Sequence, residues 1–136
     1  MLNLFQFSTI KKVGFEDVLH ATSHPHKYIL INTLPANNQE CLIHGTTPIY
    51  MEEEEINNML NKYETKCIIV YGKNGNDETV EKKCKQLLNL GFYDVYMYVG
   101  GLFEWLLLQD VYGASNFMTS SKVSDILHYR PPPSLK

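Results

Sequence analysis

Three short apolar runs, each followed by a stretch of helical character, constrain this chain more than any other feature. Tyr28-Ile29-Leu30-Ile31-Asn32, Cys67-Ile68-Ile69-Val70-Tyr71 and Val95-Tyr96-Met97-Tyr98-Val99 are rich in β-branched and aromatic residues. Such runs read as strands buried within a sheet. Strands that alternate with helices across short loops imply a mostly parallel sheet covered on both faces, with right-handed crossovers.

The remaining elements fit between these strands. Thr9 to Val13 reads as a short entry strand, and Phe15 to Thr22 as a helix with Phe15, Val18 and Leu19 on one face. His24-Pro25-His26 breaks that helix. Leu34 to Asn38 is a loop by its turn chemistry. Cys41-Leu42-Ile43 is a further strand candidate, closed by His44-Gly45. Glu52 to Tyr63 places Ile56, Met59, Leu60 and Tyr63 at helical spacing, with the acidic run Glu52 to Glu55 in its first turn, where it complements the helix dipole. After Tyr71 comes the loop Gly72-Lys73-Asn74-Gly75-Asn76-Asp77 and then a helix of about 13 residues. Val80, Cys84, Leu87 and Leu88 share one face of it, and Gly91 ends it. Gly100-Gly101 turns into Leu102 to Leu108, a helix so apolar that it must be largely buried.

The expected fold is therefore α/β, with a central sheet of about five strands. Residues 1–117 form the domain. Residues 118–136 are read as a C-terminal extension: a short amphipathic piece carrying Val123, Ile126 and Leu127, then Arg130-Pro131-Pro132-Pro133 as an extended tail.

Bulk properties narrow the function. The 136 residues suit one core, and 44% hydrophobic with 20% charged residues is a globular balance. A net charge of −3 offers no general attraction to nucleic acid or to an anionic membrane. No apolar run spans a bilayer, and the N-terminus lacks signal-peptide character, so the expected location is cytoplasmic. Cys41, Cys67 and Cys84 are odd in number and widely spaced, as core thiols are.

The order of strand, six-residue loop, helix, strand, glycine pair and Trp-bearing helix resembles the rhodanese-like family over roughly residues 9–115. Three segments carry the resemblance: Tyr28 to Leu34 with Cys41-Leu42-Ile43-His44-Gly45-Thr46; Ile68 to Tyr71 leading into the loop; and Tyr98-Val99-Gly100-Gly101-Leu102-Phe103-Glu104-Trp105. The resemblance implies structural roles for His44, Gly45, Gly100, Gly101 and Trp105, with a hydrogen bond from His44. The wording LLNLGF and GGLFEWLLLQDVYG is similar to rhodanese-like sequences of large DNA viruses and protists, which would suit a part of a virus particle.

In active members of that family the loop opens with a cysteine, which takes up a sulfane sulfur as a persulfide. Such chemistry needs a thiolate and a ring of backbone amides to hold its charge. Here Gly72 stands in the cysteine's place and can neither attack nor carry sulfur. Asp77, at the sixth position, opposes an anion and suits a helix N-cap. Asn32-Thr33-Leu34 replaces the Asp and Arg that catalytic relatives commonly carry near the end of the early strand. A substitute nucleophile is remote: Cys67 lies roughly 16 Å back along an extended strand, and Cys84 about 10 Å along a helix. The position of Cys41 is not set by sequence. A phosphatase reading needs the same missing cysteine.

On this reading the chain is expected to be a non-catalytic module acting through protein contacts, regulatory or as a component of an assembly, with no cofactor implied. The expected partner is a protein, and the candidate contact residues are Tyr93, Tyr96, Tyr98, Phe5 and Phe7. Two rival readings remain. The cradle of Gly72, Lys73, Asn74, Gly75, Asn76 and Asp77 could hold a phosphate or sulfate, or a displaced cysteine could transfer sulfur. His20, His24 and His26 have metal-ligand spacing but no cysteine or carboxylate to complete a site, so they read as surface histidines. The proline triplet resembles a recognition tail for an aromatic groove, beside the plainer reading of a free terminus.

Overall fold

The apolar runs take the middle of the sheet and the polar ones its edges. The computed structural model describes residues 10–62 and 66–135. Its strands are β1 (Lys11–Val13), β2 (Tyr28–Asn32), β3 (Thr46–Thr47), β4 (Cys67–Tyr71) and β5 (Val95–Tyr98). They form one five-stranded sheet in the order β1-β5-β4-β2-β3, and every neighbouring pair is parallel. At one edge, β1 carries the exposed Lys11 and Lys12, charges that discourage pairing with another chain.

Four α-helices cover the sheet: α1 (Phe15–Thr22), α2 (Ile49–Lys62), α3 (Glu78–Asn89) and α4 (Gly101–Tyr112). Strand alternation divides the core in two. Leu30, Ile69, Tyr71 and Tyr98 point to the side packed by α1 and α4, with Val18, Leu102, Trp105 and Leu106. Ile31, Ile68, Val70 and Val95 point the other way, against Ile56 and Met59 of α2 and Val80, Cys84 and Leu87 of α3. Burial on both faces explains why the inner strands read as unbroken apolar runs.

Helix ends follow local chemistry. Asp77 caps α3 through Thr79 N, and Gly91, at φ +109°, follows its last turn. Pro48, which has no amide to satisfy, precedes α2. The helix therefore starts at Ile49 and not at Glu52, so only Glu52 of the acidic run lies in its first turn. Glu52 pairs there with Lys83 Nζ at 2.6 Å, tying α2 to α3. Thr9 and Tyr63 lie outside the described residues.

Three further expectations need correction. Cys41-Leu42-Ile43 is buried but does not join the sheet. Its backbone pairs with the chain after Phe117: Ser120 N donates to Leu42 O (2.8 Å), His44 N to Met118 O (3.0 Å), and Ile43 bridges Thr119 antiparallel. Ile43 N goes to the buried Tyr71 hydroxyl at 3.0 Å, and the edge strand is instead the two-residue β3. Second, α4 runs past Leu108 to Tyr112: Leu102, Trp105 and Leu106 are buried as expected, whereas Val111 and Tyr112 of the added turn are exposed, as is Leu107. Third, the extension read over residues 118–136 packs in part on the domain. Tyr129, in a 3₁₀ turn over Ile126–Tyr129, is buried in the same core as Phe117 and Trp105. Among the described residues no helix is long and apolar enough to cross a membrane.

Candidate functional site

In a parallel sheet the crevice beyond the carboxyl ends of the strands is where chemistry collects. The loop 72–77 stands there, between the end of β4 and the start of α3, and the glycine pair after β5 holds it from the side. Leu102 N donates to Gly72 O and Phe103 N to Lys73 O, both at 2.9 Å. This approach requires glycine at 101. Its φ is +66°, and a Cβ would lie 2.8 Å from Gly72 O and 2.9 Å from Asn74 N. At Gly100 a Cβ would strike the Glu104 side chain, which accepts a hydrogen bond from the buried Tyr98 hydroxyl at 2.5 Å. Trp105 lies behind them in the core, its ring edge-on to Tyr98 and Phe117, its Nε1 donating to Met118 O at 3.1 Å.

Several amides of the loop and of the first turn of α3 are already bonded within this stretch. Lys73 N donates to Asp77 Oδ2 (2.9 Å) and Thr79 N to Asp77 Oδ1 (3.0 Å). Asn76 N donates to Asn74 Oδ1 (2.9 Å), and Asp77 N to Asn74 O (3.2 Å). A carboxylate bound by backbone amides beside a helix N-terminus is already the anion such a nest would otherwise gather. Asn74 is buried, and its Nδ2 donates to Tyr129 O at 2.9 Å, so the loop also anchors the C-terminal segment.

Position 72 is closed. A Cβ on Gly72 would lie 2.6 Å from a Val80 methyl and 2.7 Å from Thr33 Oγ1, and nearer still to Asp77 Oδ2. The Thr79 hydroxyl bridges Thr33 Oγ1 (2.8 Å) and Asp77 Oδ1 (2.5 Å) across this point. A shallow cleft of about 270 Å³ remains outside, bordered by Thr33, Lys73, Asp77, Thr79 and Pro132.

Sequence reasoning missed Thr79 and Gln39, and it named Thr33 only within the departure at the end of the early strand. At the end of β2, Asn32 and Gln39 exchange amide bonds: Gln39 Nε2 donates to Asn32 Oδ1 (2.8 Å), and Asn32 Nδ2 to Gln39 Oε1 (3.2 Å). Asn32 Oδ1 also accepts from Leu34 N at 3.0 Å. A neutral amide pair thus fixes the loop after β2 beside the cleft. The signal available in sequence was only position, just past the end of an inner strand.

Other candidates lie elsewhere. His44 and Gly45 form the turn before β3, where Gly45 has φ +84°. The His44 ring is exposed and makes no hydrogen bond among the described residues; the bond of this residue comes from its backbone amide. His44 also borders a cavity of about 610 Å³ between α4 and residues 114–126, which shares no residue with the loop. His20 and His24 stack at 4.2 Å, with His24 Nδ1 donating to His20 O at 2.8 Å. Among the described residues no three His, Cys, Asp or Glu side chains are grouped to hold a metal. Tyr93 is exposed, Tyr96 lies partly under Lys11, and Tyr98 is buried and unavailable for contact. Phe5 and Phe7 lie outside the described residues. The exposed apolar run at the start of α2, Ile49-Tyr50-Met51, was not anticipated.

None of the cysteines belongs to the loop. Burial raises the Cys41 thiol, which donates to Ser121 O. Burial and then the neighbouring Asp94 push Cys67 to about 12, and burial followed by Glu81 pushes Cys84 to about 11. All three stay protonated near neutral pH, the unreactive form.

The model of the rhodanese-like domain matches residues 29–108, more than half of the chain. The chain belongs to the rhodanese-like family. A comparison with curated proteins finds no match. Among solved structures, a Bacillus halodurans protein shares this rhodanese-like fold with a TM-score of 0.59 at 18% identity, over 77% of each chain. An As-Sb reductase from Leishmania major superposes with a TM-score of 0.58 at 14% identity, over 76% of this chain and 82% of that one. A thiosulfate sulfurtransferase from Pseudomonas aeruginosa gives 0.54 at 22% identity, over 72% of this chain but 19% of its own length. Likeness at these identities is likeness of fold, and activity has to be argued from the loop.

Proposed function

We propose that this rhodanese-like chain is a non-catalytic module that works through protein contacts, regulating a partner or forming part of a larger assembly. The observation that carries the reading is the closed position 72. Glycine supplies no nucleophile, and Thr33, Val80 and the Asp77 carboxylate fill the space a loop side chain would need. A sulfur-bearing anion at this point would also meet the Asp77 carboxylate, which already accepts from Lys73 N. The raised thiol pKa values, with Cys67 at the start of β4 and Cys84 inside α3, argue against a displaced nucleophile. The same carboxylate weakens the anion-binding alternative, because Lys73, Asn76 and Asp77 amides already donate within the loop. The exposed Ile49, Tyr50, Met51 and Tyr93 supply surface of the apolar and aromatic kind that protein contacts use.

The test is cyanide-dependent thiocyanate release from thiosulfate, run beside an active rhodanese. No release above the uncatalysed rate is expected. Turnover that survives serial dilution and is abolished by replacing one cysteine would defeat the proposal.

A further inference from the structure

The segment Arg130 to Leu135 leaves the core beside the loop, with Pro132 at the rim of the cleft and Pro133 and Ser134 bordering the start of α3. Arg130 has φ −65° and ψ 153°, the polyproline II conformation, and residues 130–135 form neither helix nor strand. Three successive prolines then fix φ and donate no amide, so no ladder or helix can absorb them. Arg130, Pro132, Pro133, Ser134 and Leu135 are exposed, Leu135 at 91%.

The segment does not start from a loose point. Tyr129 is 2% exposed, its carbonyl is held by Asn74 Nδ2 at 2.9 Å, and Arg130 N donates to Leu127 O at 3.1 Å. The core thus anchors the residue just before the prolines, which lowers the ordering entropy a partner must supply. Arg130 makes no ion pair among the described residues; its guanidinium donates only to Leu127 O, at 2.7 Å, and its charge faces solvent.

We propose that Arg130 to Leu135 is a docking ligand for a protein domain with an aromatic-lined groove of the kind that reads polyproline II helices. Carboxylates at one end of that groove receive Arg130, and ridges between aromatic rings receive Pro132 and Pro133. The proposal goes beyond the reading of the loop, because it rests on the exposure and backbone of the segment and not on the chemistry at position 72.

The experiment titrates the fluorescently labelled full chain with a panel of purified SH3, WW and EVH1 domains. Pro132→Ala/Pro133→Ala and Arg130→Glu are measured alongside, and thermal unfolding checks that both variants stay folded. At least one domain is expected to bind the parent chain, with either variant weakening it about tenfold or more and added salt weakening it further. Absence of binding across the panel would overturn the proposal. So would binding that both variants leave unchanged, which would place the contact on another surface.

Discussion

A side chain at position 72 has three neighbours to displace, and they belong to three separate elements. Val80 is fixed in α3, Thr33 is held by Thr79, and Asp77 would have to release Lys73 N. Gly72→Ala is therefore expected to destabilise the fold by about 1–3 kcal/mol, the usual range for overpacking, read as a lower urea midpoint. Gly72→Cys should lose stability likewise and should still release no thiocyanate, because the new thiol faces the Asp77 carboxylate; turnover by this variant would show that the loop had stayed open. Asp77→Ala removes a helix cap and should cost about 1 kcal/mol in the same titration. The role of Asp77 was legible because N-cap chemistry is local and lies within a few residues. Thr33 and Gln39 were not, since each matters only through residues that tertiary structure brings to it.

Elements were legible where burial alone dictated them and illegible where pairing was decided at long range. β2 and β4 match their apolar runs because both faces of each are covered. Cys41-Leu42-Ile43 has the same composition, yet its backbone partners are residues 118–121 and the Tyr71 hydroxyl, so it is buried without being a strand. Pro48 moved the start of α2 forward, which the acidic run had concealed. At Gly101 the positive φ and the 2.8 Å approach to Gly72 O coincide. Gly101→Ala should accordingly cost more than about 1 kcal/mol, with faster amide exchange at Leu102 and Phe103 as the local readout. Retention of slow exchange there would separate the glycine pair from the loop.

On the scale of the whole molecule, Phe117 and Tyr129 pack in the same cluster as Trp105, so the packing runs across the boundary expected near residue 117. Tyr129→Ala should lower stability by about 3 kcal/mol or more, as truncation of a buried aromatic does; a small effect in denaturant titration would show that Tyr129 adds little to that cluster. The thiols add a pH dependence. Cys67 and Cys84 titrate at about 12 and 11 in the fold against an ordinary 9.0, so the unfolded chain sheds these protons first. Their contribution is complete below pH 9 and is lost as pH climbs through 11 to 12, so stability under reducing conditions should fall over that window. A flat profile would contradict it. Family and fold were legible because the glycine pair, the tryptophan and the strand order are local signals; the closure of the loop was not, because it depends on where three side chains meet. That closure is tested most directly by the intact mass of the protein after incubation with thiosulfate, with and without reductant. The expected result is an unchanged mass beside a control rhodanese that gains one sulfur. A reductant-sensitive gain of one sulfur on this chain would contradict the account.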